Sequence, residues 1–340
     1  MLQLSILDQS PVREGGTPAQ AIAETLHLAR LADELGYRRY WLAEHHNLAA
    51  FAGTAPEVLL ARLGAETSSI RIGSGGVLLA NYSPLKVAEA FRVLEALYPG
   101  RIDLGIGRAP GGDHATTLLL RAGQPEELER FPDRIAELLH LLRGGRLEIA
   151  GIGAAQANPE GPTVPEIWLL GSSDRSAAYA AHFGCAFSFA HFISDLGGPQ
   201  VMAAYRRAFR RSQFLDQPRG SACIAVICAD TESEANKLAA SRDLWRLRRE
   251  RGELGRFPSI EDALAYPYSD ADKAQIARFR RGQIIGAPEQ VRARLLETAE
   301  AYGVTELLAL TICHDPEARR RSYQLLAEIF DLPSHARRAR

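Results

Sequence analysis

The chain predicts an α/β protein, a (β/α)8 TIM barrel, on three observations. Short apolar runs bounded by turn residues alternate with longer segments of helical period, the pattern of repeated βα units around a parallel sheet. Eight such runs fall between residues 4 and 311, the number that closes a barrel. The length of 340 residues suits a single barrel domain, which with insertions spans roughly 250 to 400 residues.

The first strand is Leu4–Leu7. Its helix begins at Thr17 with Pro18 just inside, where the missing N–H is no loss, and stops near Leu35 at Gly36. Arg39–Ala43 is the second strand, and Pro56-Glu57 opens a helix through Leu59, Leu60, Leu63 and Ala65. Ile70–Leu79 is the third, before a helix from Ser83-Pro84 that carries Val87, Ala90, Phe91, Leu94 and Leu97. The fourth strand is Ile102–Ile106. A helix over Glu126–Leu142 and a Gly/Pro-rich excursion over Gly144–Pro165 lead to the fifth strand, Ile167–Leu170, and its helix, Asp174–Phe183. Ala186–Phe189 is the sixth strand, with a helix over Pro199–Arg211. Ala222–Cys228 is the seventh, with Glu232–Arg251, and Leu307–Thr311 is the eighth, with Pro316–Phe330 closing the outer ring. The stretch 252–286, which contains Pro258 and Pro267, is too long for a simple connection and reads as a capping insertion after strand seven. Residues 1–335 then form one domain, with 336–340 a frayed tail.

Composition narrows the classes of function. Apolar residues make up 46% and charged residues 24%, a balance for a large buried core and against disorder. With a formal net charge of −1 the chain is not basic enough for a nucleic-acid footprint, and the arginine-rich stretches 206–211, 242–251 and 278–281 read as solvated helix faces. Cys185, Cys223, Cys228 and Cys313 sit in apolar runs without CxxC spacing, so they read as buried thiols of a reducing compartment, and no metal site is indicated. Without a signal-like start or a long apolar run the expected location is cytoplasmic, with no membrane partner.

Barrels of this kind react at the C-terminal ends of their strands. The polar residues at those ends are Asp8-Gln9-Ser10, Glu44-His45-His46-Asn47, Gly73-Ser74-Gly75-Gly76, Gly105-Ile106-Gly107-Arg108, Gly171-Ser172-Ser173, His191 and His314-Asp315. In Glu44-His45-His46 two imidazoles and a carboxylate supply groups that exchange protons near neutral pH. Metal ligation by both histidines is disfavoured because adjacent strand residues point to opposite faces. A plainer reading pairs Glu44 with a buried partner and turns only one histidine to the cavity. Gly105-Ile106-Gly107-Arg108-Ala109-Pro110-Gly111-Gly112 has the wrong spacing for a dinucleotide fingerprint. Its glycines would let backbone approach a planar ligand while Arg108 meets a phosphate; an ordinary turn with a surface arginine is the competing account. Gly171-Ser172-Ser173-Asp174-Arg175-Ser176 opens a helix where free N–H groups and hydroxyls make either a phosphate site or a plain N-cap. Paired glycines at 75 and 76 weaken a strand unless a bulge, an unusual peptide or a close ligand requires them.

The run Trp41-Leu42-Ala43-Glu44-His45-His46, then Ile72-Gly73-Ser74-Gly75-Gly76-Val77, then Gly105-Ile106-Gly107-Arg108 resembles the bacterial luciferase-like flavin monooxygenases. Asp8-Gln9-Ser10-Pro11 with His314-Asp315 resembles their single-chain, MsnO8-type branch. The resemblance implies a barrel that takes FMN, reduced by a separate flavin reductase, and uses dioxygen to oxygenate a small, mostly apolar organic substrate, aldehyde-like or polyketide-like. It also implies a homodimer. By position, His45 matches the proton-handling histidine, with Glu44 and His46 beside it. Gly75-Gly76 falls where the family places a non-prolyl cis peptide against the flavin ring. Arg108, Ser172, Ser173 and Ser176 match phosphate-contacting positions, next to Gly171, and Arg130 is a further candidate for the phosphate. Gly107 stands where luciferase carries a reactive cysteine. Phe51, Phe189 and Phe192 are expected to shape an apolar cavity together with 252–286. Two other readings remain open on the sequence: a deazaflavin-dependent hydride-transfer oxidoreductase and a flavin-binding protein without turnover.

Overall fold

The structure, a computed structural model, describes residues 2–109, 111–123 and 128–334. In chain order its elements are β1 (Gln3–Asp8), α1 (Pro18–Leu35), β2 (Arg39–Leu42), α2 (Pro56–Glu66), β3 (Arg71–Leu78), α3 (Pro84–Leu97), β4 (Ile102–Gly107), α4 (His114–Leu120) and α5 (Phe131–Leu142). A hairpin of β5 (Arg146–Ile149) and β6 (Gly153–Gln156) follows. Then come β7 (Glu166–Gly171), α6 (Asp174–Phe183), β8 (Ala186–Ala190), α7 (Gly198–Ala208), β9 (Gly220–Cys228) and α8 (Glu232–Glu250). The chain finishes with α9 (Ile260–Ala265), α10 (Asp270–Arg281), β10 (Gln283–Gly286), α11 (Pro288–Tyr302), β11 (Glu306–Leu310) and α12 (Pro316–Ile329).

Eight parallel strands, β1, β2, β3, β4, β7, β8, β9 and β11, close on one another, because β11 pairs with β1 at Gln3↔Glu306 and β8 pairs with β9. The sheet is therefore a TIM barrel with its strand ends gathered at one rim. Outward side chains such as Leu4, Ile6, Ile72 and Leu104 pack under the helices, while Leu7, Trp41, Trp168, Cys223 and Leu308 fill the interior. The period of two that separates these sets is the pleat itself.

The lower end of the barrel is charged. Arg39 Nη1 lies 2.9 Å from Asp103 and 3.0 Å from Glu166, and Arg39 Nε lies 2.7 Å from Glu306. The indoles of Trp41 and Trp168 donate to Asp103 and Glu166, each at 2.8 to 2.9 Å. These ions are removed from water, so only full pairing makes their burial tolerable. The same bonds aim two tryptophan rings up the barrel, 5.2 Å apart.

Helix boundaries follow local chemistry. Thr17 caps α1 by accepting from Gln20 N while Gln20 returns a bond to Thr17 N, and Gly36 ends the helix at φ 87°. The helix expected over 126–142 is described from Phe131, after a 3-10 turn at Leu128–Arg130; its expected start lies outside the described residues, as do Pro110 and the expected frayed tail. The excursion 144–165 contains the hairpin β5–β6, and α4 and α11 are helices that the periodicity reading leaves out. Within 252–286 lie α9, α10 and β10. Ala225 of β9 pairs with Leu310 on one side and Gln283 on the other, so β10 takes up the flank of β9 above β8. All four cysteines are buried and free. Among the described residues no helix is long and apolar enough to cross a membrane.

Candidate functional site

A cavity of about 550 Å³ opens at the C-terminal ends of the strands, where the barrel residues Leu7, Trp41, Ala43, Gly75, Leu170 and Cys223 form its inner walls. Of the sequence-predicted site residues, Glu44, His45, Gly75, Gly76, Arg108, Gly171, Ser172, Ser173 and Ser176 line it. His46 and Arg130 do not: His46 turns aside onto Glu44, and Arg130 is exposed at the 3-10 turn before α5. Phe192 lines the cavity, but Phe189 is fully buried among the outer side chains, 5.7 Å from Tyr302, because its pleat position faces the helices. Phe51 acts from behind, through His45.

The two histidines diverge, as adjacent residues at a strand end must. Glu44 is buried, and its Oε1 accepts from Tyr82 Oη at 2.6 Å and pairs with His46 Nε2 at 2.8 Å. Its Oε2 accepts from the Leu78 amide at 3.1 Å, just past the glycine pair of β3. Glu44 is thereby committed to holding the β2 loop against the end of β3, and its hydrogen bond and charge push the Tyr82 phenol, already raised by burial, still further up. The plainer reading of Glu44 holds, and Tyr82 is its unforeseen partner. No motif around Tyr82 marks this contact in the sequence, since it sits 38 residues from Glu44.

His45 stacks on Phe51 with ring centroids 4.5 Å apart, and Phe51 packs in turn on Trp245 and Phe257. Its Nδ1 is buried without a hydrogen-bond partner. Burial, reinforced by the charge of Arg249, brings its pKa down to about 4, so the ring is neutral at physiological pH.

The Gly75–Gly76 peptide is cis, as the resemblance implies. A Cβ on Gly75 would lie 2.5 Å from Leu7 Cδ1 and 3.0 Å from Trp41 Cβ; one on Gly76 would lie 2.7 Å from the Gly105 carbonyl oxygen. The space a Cβ would take is filled by Leu7 and Trp41 at Gly75 and by the β4 backbone and Leu170 at Gly76, so glycine is required at both places and bare backbone lines the cavity there. The β3–β4 ladder slips between Ser74 and Val77, and Ser74 Oγ bridges the gap by donating to Gly105 O at 2.9 Å and accepting from Gly105 N at 3.0 Å.

Arg108 also lines the cavity, just past β4, with no carboxylate partner among the described residues. The β7–α6 turn brings Ser172 and Ser173, and the first turn of α6 brings Ser176, to the same cavity. The Ser173 side chain makes no cap bond to α6, and its Oγ lies 3.3 Å from Ser176 Oγ. A Cβ on Gly171 would come within 2.2 Å of Ser176 Oγ, so glycine lets that hydroxyl turn inward. Hydroxyls, a helix N-terminus and an unpaired guanidinium converge as an anion site requires.

The N-acetyl-S-alkylcysteine monooxygenase of Bacillus subtilis (strain 168) is 39% identical to this chain over 333 residues, covering 96% of this chain and 98% of that protein. A luciferase-like monooxygenase of Escherichia coli (strain K12) is 36% identical, covering 96% of this chain and 97% of that protein. The crystal structure of apo-MsnO8 matches with a TM-score of 0.91 at 40% identity, covering 98% of this chain and 100% of that one. A family model described as luciferase-like monooxygenase matches residues 2–306. Matched by that model over most of its length and 36% identical to a luciferase-like monooxygenase along nearly its whole chain, this chain belongs to the luciferase-like monooxygenase family.

Proposed function

We propose that this chain is a flavin-dependent monooxygenase that takes reduced FMN and dioxygen and oxygenates a small, mostly apolar organic molecule. One observation carries the reading: a single cavity is lined both by bare backbone at Gly75–Gly76 and by the anion-binding groups Arg108, Ser172, Ser173 and Ser176. A flat ring fits the first and a phosphate the second. FMN, once reduced, supplies the electrons that activate dioxygen. The chain's own residues do the rest. Arg108 and the three serines hold the phosphate, and Gly75–Gly76 seats the ring. Neutral His45 accepts or returns a proton beside it. Leu7, Trp41, Leu170 and Phe192 keep the cavity apolar, which excludes competing water. Glu44 and His46 position the β2 and β3 ends.

No nicotinamide-binding motif stands in the chain, which favours a separate flavin reductase as electron donor. The segment 252–286, expected to shape the cavity, contributes none of its lining residues; it meets the site only from behind, where Phe257 packs on Trp245 and on Phe51, the ring under His45. A homodimer is supported by the exposed Val58, Val93 and Leu97 on the neighbouring helices α2 and α3. The B. subtilis relative named for N-acetyl-S-alkylcysteines adds thioethers to aldehydes and apolar alcohols as substrates to try.

Oxygen uptake with reductase-supplied FMN over such a panel tests the reading. Substrate-dependent uptake above the free-flavin background, with one labelled atom from 18O2 in the product, is the expected result. Uptake indistinguishable from the background for every compound would favour a binding protein without turnover.

A further inference from the structure

Helix α8 carries Arg242, Arg246 and Arg249 in an i, i+4, i+7 stripe along one face. Like charges at that spacing repel on a helix. Neighbouring arginines are neutralised: Arg248 pairs with Glu14, Arg251 with Asp272 and Arg280 with Asp243. The three of the stripe make no ion pair or hydrogen bond with any described residue. Arg242 is the extreme case. It is only 8% exposed, and its Nη1 is buried without a partner. The expected solvated face is therefore wrong for Arg242, whose pKa burial lowers to about 10. Arg246 is half-buried over Phe279 at 4.3 Å, and Arg249 is exposed over Trp245 at 5.4 Å.

None of the three lines the cavity itself, but the stripe stands behind its wall. On the same helix face, Leu238 packs with Ile227, Ala229 and Cys313 near the ends of β9 and β11, and Trp245 packs on Phe51, which stacks on His45. Arg242 falls between those two positions. Arg249 is near enough for its charge to act on His45. Asp195, on the loop whose Phe192 and Ile193 line the cavity, acts on Arg246. The acidic groups acting on the stripe are Asp195, Asp243 and Glu250; Asp243 is held through Oδ2 by Arg280 at 2.7 Å, while its buried Oδ1 has no partner among the described residues. Cations outnumber carboxylates there.

We propose that Arg242, Arg246 and Arg249 form a carboxylate-recognition site, and that the substrate is a small organic acid whose apolar part enters the cavity; this rests on the monooxygenase reading above. A buried guanidinium with unmade hydrogen bonds is costly to keep, and a carboxylate is the planar, two-oxygen acceptor that matches its fork. Exposed Arg249 meets the anion in solvent, and buried Arg242, where water competes least, gives the stronger bond.

The test is calorimetric titration of the full chain, with and without FMN, using (benzylthio)acetate and its uncharged amide, (benzylthio)acetamide, with FMN affinity measured in parallel. The acid should bind about 10-fold or more tighter than the amide, and Arg242→Gln and Arg249→Gln should each reduce that preference by about 10-fold. Arg242→Met should raise Tm, because it removes a buried unpaired charge, while losing the preference for the acid. A merely structural Arg242 would instead give a lower Tm with the preference intact. Equal binding of acid and amide, or a preference that survives both glutamine variants, overturns the proposal. Acid preference without FMN binding supports the stripe and sinks the FMN reading instead.

Discussion

His45 is held neutral chiefly by burial, with the charges of Arg249 and His46 acting in the same direction. His45→Ala should leave FMN affinity within a few-fold yet lower oxygenation by about 10²- to 10⁴-fold, the usual contribution of a proton-transfer group. Unchanged coupled oxygenation would remove it from the mechanism. The same burial couples to stability. The folded pKa of about 4 lies below the unfolded value of 6.5, so the unfolded chain binds more protons between these values and stability falls as pH drops through that window. From pH 7 to pH 5 the loss from this residue should approach about 2 kcal/mol. Urea unfolding at both pH values, for wild type and His45→Gln, measures it; the variant should lose correspondingly less. Elsewhere on the cavity wall, Arg108→Ala should weaken FMN while leaving riboflavin, which lacks the phosphate, nearly unchanged, and equal losses for both would contradict the role.

At the scale of elements, the site depends on how β2, β3 and β4 meet. Glu44 links the β2 loop to the Leu78 amide of β3, and Ser74 bridges the slip between β3 and β4. Glu44→Leu should destabilise by about 1 to 3 kcal/mol, since it strands the buried Leu78 N–H and deprives Tyr82 and His46 of their acceptor; chemical denaturation reads this directly. The residues of these strand ends were legible in the sequence because glycine pairs and adjacent titratable groups are rare in strands. Their division of labour was not. That Glu44 holds backbone while His45 faces the cavity depends on Tyr82 and Phe51, contacts that local pattern does not encode. α11 does carry start and stop signals, Pro288 and the αL Gly303, but it follows an irregular stretch and merges with it in a periodicity reading. The hairpin β5–β6 has no buried residue and only four residues per strand, too short for a clear alternation.

Across the whole molecule, the barrel was readable because each parallel strand is buried on both faces and so appears as a short apolar run. The charged floor was less so. Arg39, Asp103, Glu166 and Glu306 look like turn residues at strand starts, yet they meet across the barrel within hydrogen-bond distance. Arg39→Met leaves three carboxylates without their central cation and should destabilise by about 3 to 5 kcal/mol, seen as a lowered urea midpoint. A loss confined to surface-pair values, about 1 kcal/mol or less, would mean the floor is open to water.

The central claim is that this barrel receives reduced FMN, ring on Gly75–Gly76 and phosphate on Arg108. Equilibrium dialysis of the purified chain against reduced FMN, reduced riboflavin and a reduced deazaflavin tests it most directly. Retention of FMN at one per chain, well above riboflavin, is the predicted result. Tight retention of the deazaflavin with none of FMN would contradict it.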